Sequence, residues 1–368
     1  MTGLSTFSVN SVLEWLKRHE RRLASAVFVL GFVGDLFTFA ILDLSLASLA
    51  FVAYLSLAAV ATFLSHTVSS RFDTHDALWR RAVSALAPLA AQYAIGSLLS
   101  GMLIFYTKSA ALSVSWPFLV LLALIFLGNE AFRGYRAHLA FQTVLFFFTL
   151  YAYAIFALPL ALGRLGPTVF LESTALAAAA FGLFLWLLGW VGWNRLKSTL
   201  PLILGGAALV LIALITSYFT SLIPPIPLTL RDSGIYHDVQ HAGGDYALMA
   251  EAARPWWELY QPTVIHHVSG TPLYAFSAVF APGAFTASII HEWDRYDAVQ
   301  KKWLPQSTVA FPLSGGRAGG YRGYSEITSA PAGQWRVSIK TVSGQTIGRI
   351  NFTVETVDSE PELHAETR

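Results

Sequence analysis

A bundle of membrane-crossing helices followed by an all-β, immunoglobulin-like sandwich is the architecture expected of this chain. Three observations lead there. Of 368 residues, 55% are hydrophobic and only 12% charged, against about 25% charged in soluble proteins. The deficit is local: apolar runs of the roughly 20 residues needed to cross a bilayer fill the chain as far as Leu222 and then stop. Past Ile223-Pro224-Pro225-Ile226-Pro227, where prolines remove donors and restrict their neighbours, short runs alternate with period two between turn residues.

Composition also removes function classes. The chain has no cysteine, which excludes disulfides, cysteine-ligated zinc and thiol catalysis. A net charge of +2 with no long basic tract argues against nucleic acid as a partner.

In chain order, residues 1–22 form a cytoplasmic amphipathic or basic terminus. Val9, Val12, Leu13 and Leu16 share a helical face, followed by Lys17, Arg18, Arg21 and Arg22. Seven spans are expected over 23–223, at about 23–42, 45–65, 83–105, 110–129, 139–162, 170–193 and 200–222. Flanking charge orients them. Lys17, Arg18, Arg21, Arg22, Arg71, Arg80, Arg81, Arg133, Arg136, Arg195 and Lys197 fall on one side, and only Lys108 and Arg164 on the other. The amino terminus is therefore expected inside and the carboxy-terminal domain outside. In the third span Ala90, Ala94, Ser97 and Gly101 make a stripe of small residues, a packing surface in lipid; Gly182, Gly189 and Gly192 in the sixth carry the same expectation.

Residues 224–261 are expected to be a linker, in which Trp256 and Trp257 either anchor at the membrane interface or start the soluble core. Over 262–356 the alternation of Tyr274, Phe276, Ala278 and Phe280, of Ile289, His291 and Trp293, and of Trp335, Val337 and Ile339 argues an antiparallel sandwich. The acidic stretch 357–368 is expected to be disordered.

Several of these segments resemble the bacterial domain of unknown function 2914. They are His291-Glu292-Trp293, Arg322-Gly323-Tyr324-Ser325, Gly333-Gln334-Trp335-Arg336-Val337, Gly344 and Phe352-Thr353-Val354. The membrane half is similar to that of multi-span members at Gly31-Phe32-Val33-Gly34-Asp35, from Ile95 to Gly101, from Tyr106 to Ala110 and at Asn129-Glu130. Around Arg317–Tyr324 the chain is glycine-richer than the family pattern. The resemblance implies an architecture and no activity.

Candidate chemistry is sparse. Asp35 lies inside the first span, where a carboxylate in hydrocarbon marks a functional site by default. The alternative is a packing role in which it pairs with a polar group such as Gln92 or Lys108. Asn129 and Glu130 end the fourth span, with Arg133 in reach of Glu130. His237 and His241 have metal-like spacing only if helical, and Gly243-Gly244 argues for a loop; adjacent His266 and His267 point to opposite faces of a strand. His291-Glu292 begins like a zinc-protease motif, but Arg295 stands where the second histidine belongs. The run Gly315–Gly320 lacks the lysine and hydroxyl of a phosphate loop. No catalytic residue, metal or cofactor is expected. A binding surface is expected on Trp303, Arg317, Tyr321, Arg322 and Tyr324.

The expectation is a multi-pass protein of a bacterial inner membrane, its partner the lipid bilayer. It holds a periplasmic binding or scaffolding domain for envelope glycan or a protein. The alternative is a small transporter or sensor that uses Asp35 under a regulatory outer domain.

Overall fold

A computed structural model describes residues 31–38, 44–71, 78–109, 111–131, 139–252, 263–282, 285–314 and 319–368. The amphipathic stretch 1–22, Trp256, Trp257, Arg317 and the Glu130 side chain lie outside the described residues. The chain forms two compact units, one holding most of the helices and one holding all the strands.

The helices are α1 (31–38), α2 (Leu44–Arg71), α3 (Leu78–Ser109), α4 (Leu112–Ala131), α5 (Leu139–Leu162) and α6 (Pro167–Phe219). Four, at Leu46–Ser70, Leu78–Ser109, Leu139–Leu162 and Pro167–Phe219, are long and apolar enough to cross a membrane, and Val114–Asn129 is a shorter apolar run. Six helical elements thus stand among the described residues where seven separate spans were expected. The expected sixth and seventh spans are one element of 53 residues, interrupted only at Gly192. Nothing between them forms a loop, because Asn194–Thr199 all accept helical backbone. The element nonetheless folds back. Phe170 and Tyr218 would stand about 70 Å apart in a straight helix, yet their rings stack at 3.8 Å.

Gly192 makes the fold-back fit. A Cβ there would lie 2.5 Å from Ser70 Oγ and 2.9 Å from His66 Nε2 on α2, and His66 Nε2 also meets the Leu188 carbonyl at 3.1 Å. The small-residue stripe of α3 packs as expected: Ala94, Ser97 and Ser100 are buried. Gly182 does not, since its α-carbon faces open space. Trp186, Trp190 and Trp193 share an exposed face near the break, as indoles do at a bilayer interface.

Eleven strands follow among the described residues. β1 (Thr229–Tyr236), β5 (Leu273–Phe280) and β8 (Tyr321–Ile327) form one sheet in the order β1-β5-β8. β4 (Thr263–Val268), β10 (Thr346–Val357), β9 (Gly333–Thr341), β6 (Thr286–Asp297) and β7 (Lys302–Ser314) form a five-stranded sheet in that order. β2 (Asp238–Ala242), β3 (Asp245–Glu251) and β11 (Leu363–Thr367) form the third, in the order β11-β3-β2.

Three expectations change here. The supposed linker 224–261 contains β1, β2 and β3, and the supposedly disordered tail contains β11, which pairs with β3. Nor is the domain wholly antiparallel, because β4 runs parallel to β10. A third sheet also covers what a two-layer sandwich would leave exposed. The cause is β5: Leu273, Ala275 and Val279 face the five-stranded sheet, packing with Trp293, Trp335, Val337, Ile339 and Phe352. Phe276 and Ala278 on its other face pack with Tyr236, Val239 and Leu248. Both faces of β5 are buried, so it is a central strand in depth as well as in order.

Candidate functional site

The expected binding residues separate. On β8, period two sends Tyr321, Gly323 and Ser325 one way and Arg322 and Tyr324 the other. Tyr321 packs against the cluster of Val279, Leu313 and Ile347, so it belongs to the core. Arg322 is occupied: its Nη1–H donates to Asp245 Oδ1 at 2.6 Å across to β3. Tyr324 is exposed, beside Tyr246 and Tyr274 at centroid distances of 6.0 and 6.1 Å. Trp303 begins β7 on the five-stranded sheet, against Tyr296 at 5.2 Å and under the Arg336 guanidinium at 4.5 Å.

The motifs that carry the family resemblance converge on the core. His291 Nε2 lies 2.8 Å from Ser277 Oγ, and His291 Nδ1 lies 2.9 Å from Ser325 Oγ, which also accepts the Trp293 Nε1–H at 2.9 Å. Serine beside histidine invites a catalytic reading, but Ser277, His291, Trp293 and Ser325 are all buried and, among the described residues, no carboxylate meets the ring. Burial pushes the imidazole down to about 4, so it is neutral and serves as a polar staple between sheets. Ser277 is not singled out by the sequence, and Ser325 only as part of a family motif. Their signal was there: hydroxyls at inward positions of strands need a partner.

On the outer face of the five-stranded sheet, Arg336 Nε donates to Asp294 Oδ2 at 2.8 Å and Lys340 Nζ to Glu292 Oε1 at 2.6 Å. His237 and His241 do not converge. His237 Nε2 meets Glu251 Oε1 at 3.0 Å, while His241 rests on Tyr246. His266 and His267 point apart as expected: His266 Nδ1 lies 2.8 Å from Glu251 Oε2 while His267 is buried beside Thr271. Burial raises the Glu251 carboxyl, but the His266 and His237 hydrogen bonds outweigh it and hold the carboxyl below its usual range.

A concave surface of about 560 Å³ opens at the end of the same sheet, lined by Arg295, Tyr296, Asp297, Leu304, Gln306 and Gln334. The bulge at Trp293/Asp294 re-aims the strand end, a common device beside binding sites. Arg295 Nη2 donates to the Ala332 carbonyl at 3.0 Å, whereas its Nε–H is buried with no acceptor among the described residues. Composition hid this cleft, because its lining comes from β6, β7 and the β8–β9 turn.

In the helical unit Asp35 is buried, and the Ser100 hydroxyl donates to its Oδ2, with Ser97 a second hydroxyl partner. Its polar partners are thus these two serines of α3. Asn129 is buried at the end of α4, and its Nδ2 finds no acceptor among the described residues.

No curated protein matches this chain. Among solved structures, the Pseudomonas fluorescens alkylpurine DNA glycosylase AlkC, bound to DNA containing an abasic site analog, aligns over 80% of this chain and 76% of its own. The identity is 12% and the TM-score 0.22, too low to show a common fold. Residues 286–354, from β6 into β10, match the family model described as Protein of unknown function (DUF2914), the family that the His291, Trp335 and Phe352 motifs resemble.

Proposed function

We propose that this protein holds a recognition domain at the outer face of a bacterial cytoplasmic membrane and takes an envelope glycan in the cleft beside Arg295. The carrying observation is that cleft: a concave surface of about 560 Å³ lined by polar side chains has the form of a ligand site. Asp297, Gln306 and Gln334 add donors and acceptors suited to hydroxyls, and Tyr296 adds an aromatic edge. No covalent step is assigned. The outside placement draws support from charge. The strand-bearing unit also takes in Lys108–Trp116 and Pro159–Val169, the two connections poor in basic residues.

The test is co-sedimentation of the detergent-solubilised full chain with purified peptidoglycan sacculi. Wild type should sediment, and the double variant Gln306→Ala/Gln334→Ala, altering only surface side chains, should melt normally and stay in solution. A wild type that never sediments, but cross-links through the cleft to a membrane protein, would replace the glycan by a protein partner.

A second reading rests on Asp35, a buried carboxylate whose partners are hydroxyls. Such a group within apolar helices is costly and marks proton or ligand handling by default. Under this reading the protein is a small transporter or sensor. Asp35→Asn should abolish its function while expression and melting stay normal; a variant that merely melts lower assigns Asp35 to packing.

A further inference from the structure

Three cations surround Ser338 on the outer face of the five-stranded sheet. Arg336 and Lys340 flank it on β9, and Arg349 stands opposite it on β10. The two carboxylates that act on Arg349 are taken, Asp294 by Arg336 and Glu292 by Lys340, and Glu355 lies six residues further along β10. Among the described residues, Arg349 has no carboxylate at ion-pair distance. Its Nε–H donates to Ser338 Oγ at 3.3 Å, which leaves both terminal nitrogens for another acceptor. The group is half-buried, and a guanidinium withdrawn from water without a counter-charge is destabilised. Burial first, and the Arg336 charge second, push its pKa down, with Asp294 and Glu292 offsetting in part. Two residues along the same face Asn351 is exposed, opposite Arg336 in the ladder.

We infer that Arg349 and Asn351 form an oxyanion site that takes a carboxylate or phosphate group. The free edge of a guanidinium matches two oxygens of either group, and the Asn351 amide supplies a further N–H. The anion would supply the direct counter-charge that Arg349 lacks among the described residues. The site stands on Arg349 and its neighbours alone and does not depend on a glycan filling the Arg295 cleft.

The test uses the full chain in neutral detergent, melted in sodium phosphate against sodium chloride of matched ionic strength, and in polygalacturonate against neutral dextran. Wild type should gain about 3–5 °C at ten times the Kd of the anion, and Arg349→Gln should gain nothing. Arg231→Gln, which removes an arginine stacked on Phe280 elsewhere in the domain, should respond like wild type. A response to phosphate identifies a free oxyanion, and one to polygalacturonate alone a polymer-borne carboxylate. An equal gain in Arg349→Gln, or no gain with either probe in wild type, overturns the site. Without added anion Arg349→Gln should melt no lower than wild type, since it removes an uncompensated charge. A clearly lower midpoint would make Arg349 a structural donor to Ser338 and overturn the site as well.

Discussion

The two units of this molecule differ in how their polar side chains are satisfied. In the helices many hydroxyls turn back onto their own backbone, as Thr67 does to the Phe63 carbonyl, Thr149 to Phe146 and Thr174 to Phe170. A few cross, such as Ser100 to Asp35 and Ser48 to Tyr153. Thr62, Thr143 and Asn129 each keep a buried polar atom without a partner among the described residues. In the β domain polar groups reach across elements, as in Arg336–Asp294, Lys340–Glu292 and the His291–Ser277–Ser325 staple. The difference follows from solvent. A helix satisfies its own backbone, so side chains in an apolar setting need only local acceptors. A sheet domain gains specificity of register from cross-strand pairs. Cohesion between helices should then depend on close fit, and cohesion of the β domain on the completeness of its layers.

The largest expected effect tests the layers. A fragment covering 220–368 should unfold cooperatively in urea, read by tryptophan fluorescence. A fragment covering 258–358 should show no cooperative transition. It lacks β1, and with it Leu228 and Leu230 of one core cluster and Tyr236 of another, and it exposes Phe276 by losing Leu248 and Val239. Equal midpoints for the two fragments would show that the five-stranded sheet is self-sufficient.

How much of this was visible beforehand depended on one-sided burial. Ile289, His291 and Trp293 alternate because one face of β6 is buried and the other carries Glu292 and Asp294, so that strand was legible. β5 hid half its role: Tyr274, Phe276 and Ala278 drew notice, while Leu273, Ala275 and Val279 between them hold the main core. β1, with Arg231, Asp232, Ser233 and Gly234 in its middle, has no period to detect. β11 is polar because it is a sheet edge whose residues are mostly exposed. The candidate site was less legible still. Arg322 looked available because nothing local announces Asp245, 77 residues away, and the Arg295 cleft exists only after β6, β7 and the β8–β9 turn have come together.

A middle-sized effect comes from His291. Its folded pKa, about 4, lies below the unfolded value of about 6.5. Between those values the unfolded chain binds more protons, so stability is complete above about pH 6.5 and is lost as pH falls toward 4. The gap corresponds to about 3 kcal/mol. Urea unfolding of fragment 220–368 across this window should show that loss, and His291→Asn should reduce it; His267, also lowered by burial, supplies what is left of the loss in this window. Glu251, with its carboxyl held below the usual range, loses its contribution only at more acid pH. A wild-type profile flat from pH 7 to 4.5 would mean that the imidazole is charged in the fold.

The smallest effect tests the claim that the helices are held by fit. Gly192 and Gly182 belong to the same helical element, ten residues apart, and differ in surroundings and in backbone, since only Gly192 leaves the helical conformation. A methyl group at Gly192 would press on Ser70 and His66 at 2.5–2.9 Å, and a clash of that kind typically costs about 1–3 kcal/mol. At Gly182 nothing lies within 4 Å, and alanine there gains about 0.5–1 kcal/mol from helix propensity. Melting of the full chain in detergent, followed by helical circular dichroism, should therefore move down for Gly192→Ala and slightly up for Gly182→Ala. The β-domain transition should stay fixed in both, since neither glycine belongs to that unit. If both alanines shift the midpoint upward alike, the break at Gly192 tolerates a side chain, and the return of α6 onto itself must be held by the Phe170–Tyr218 stack instead.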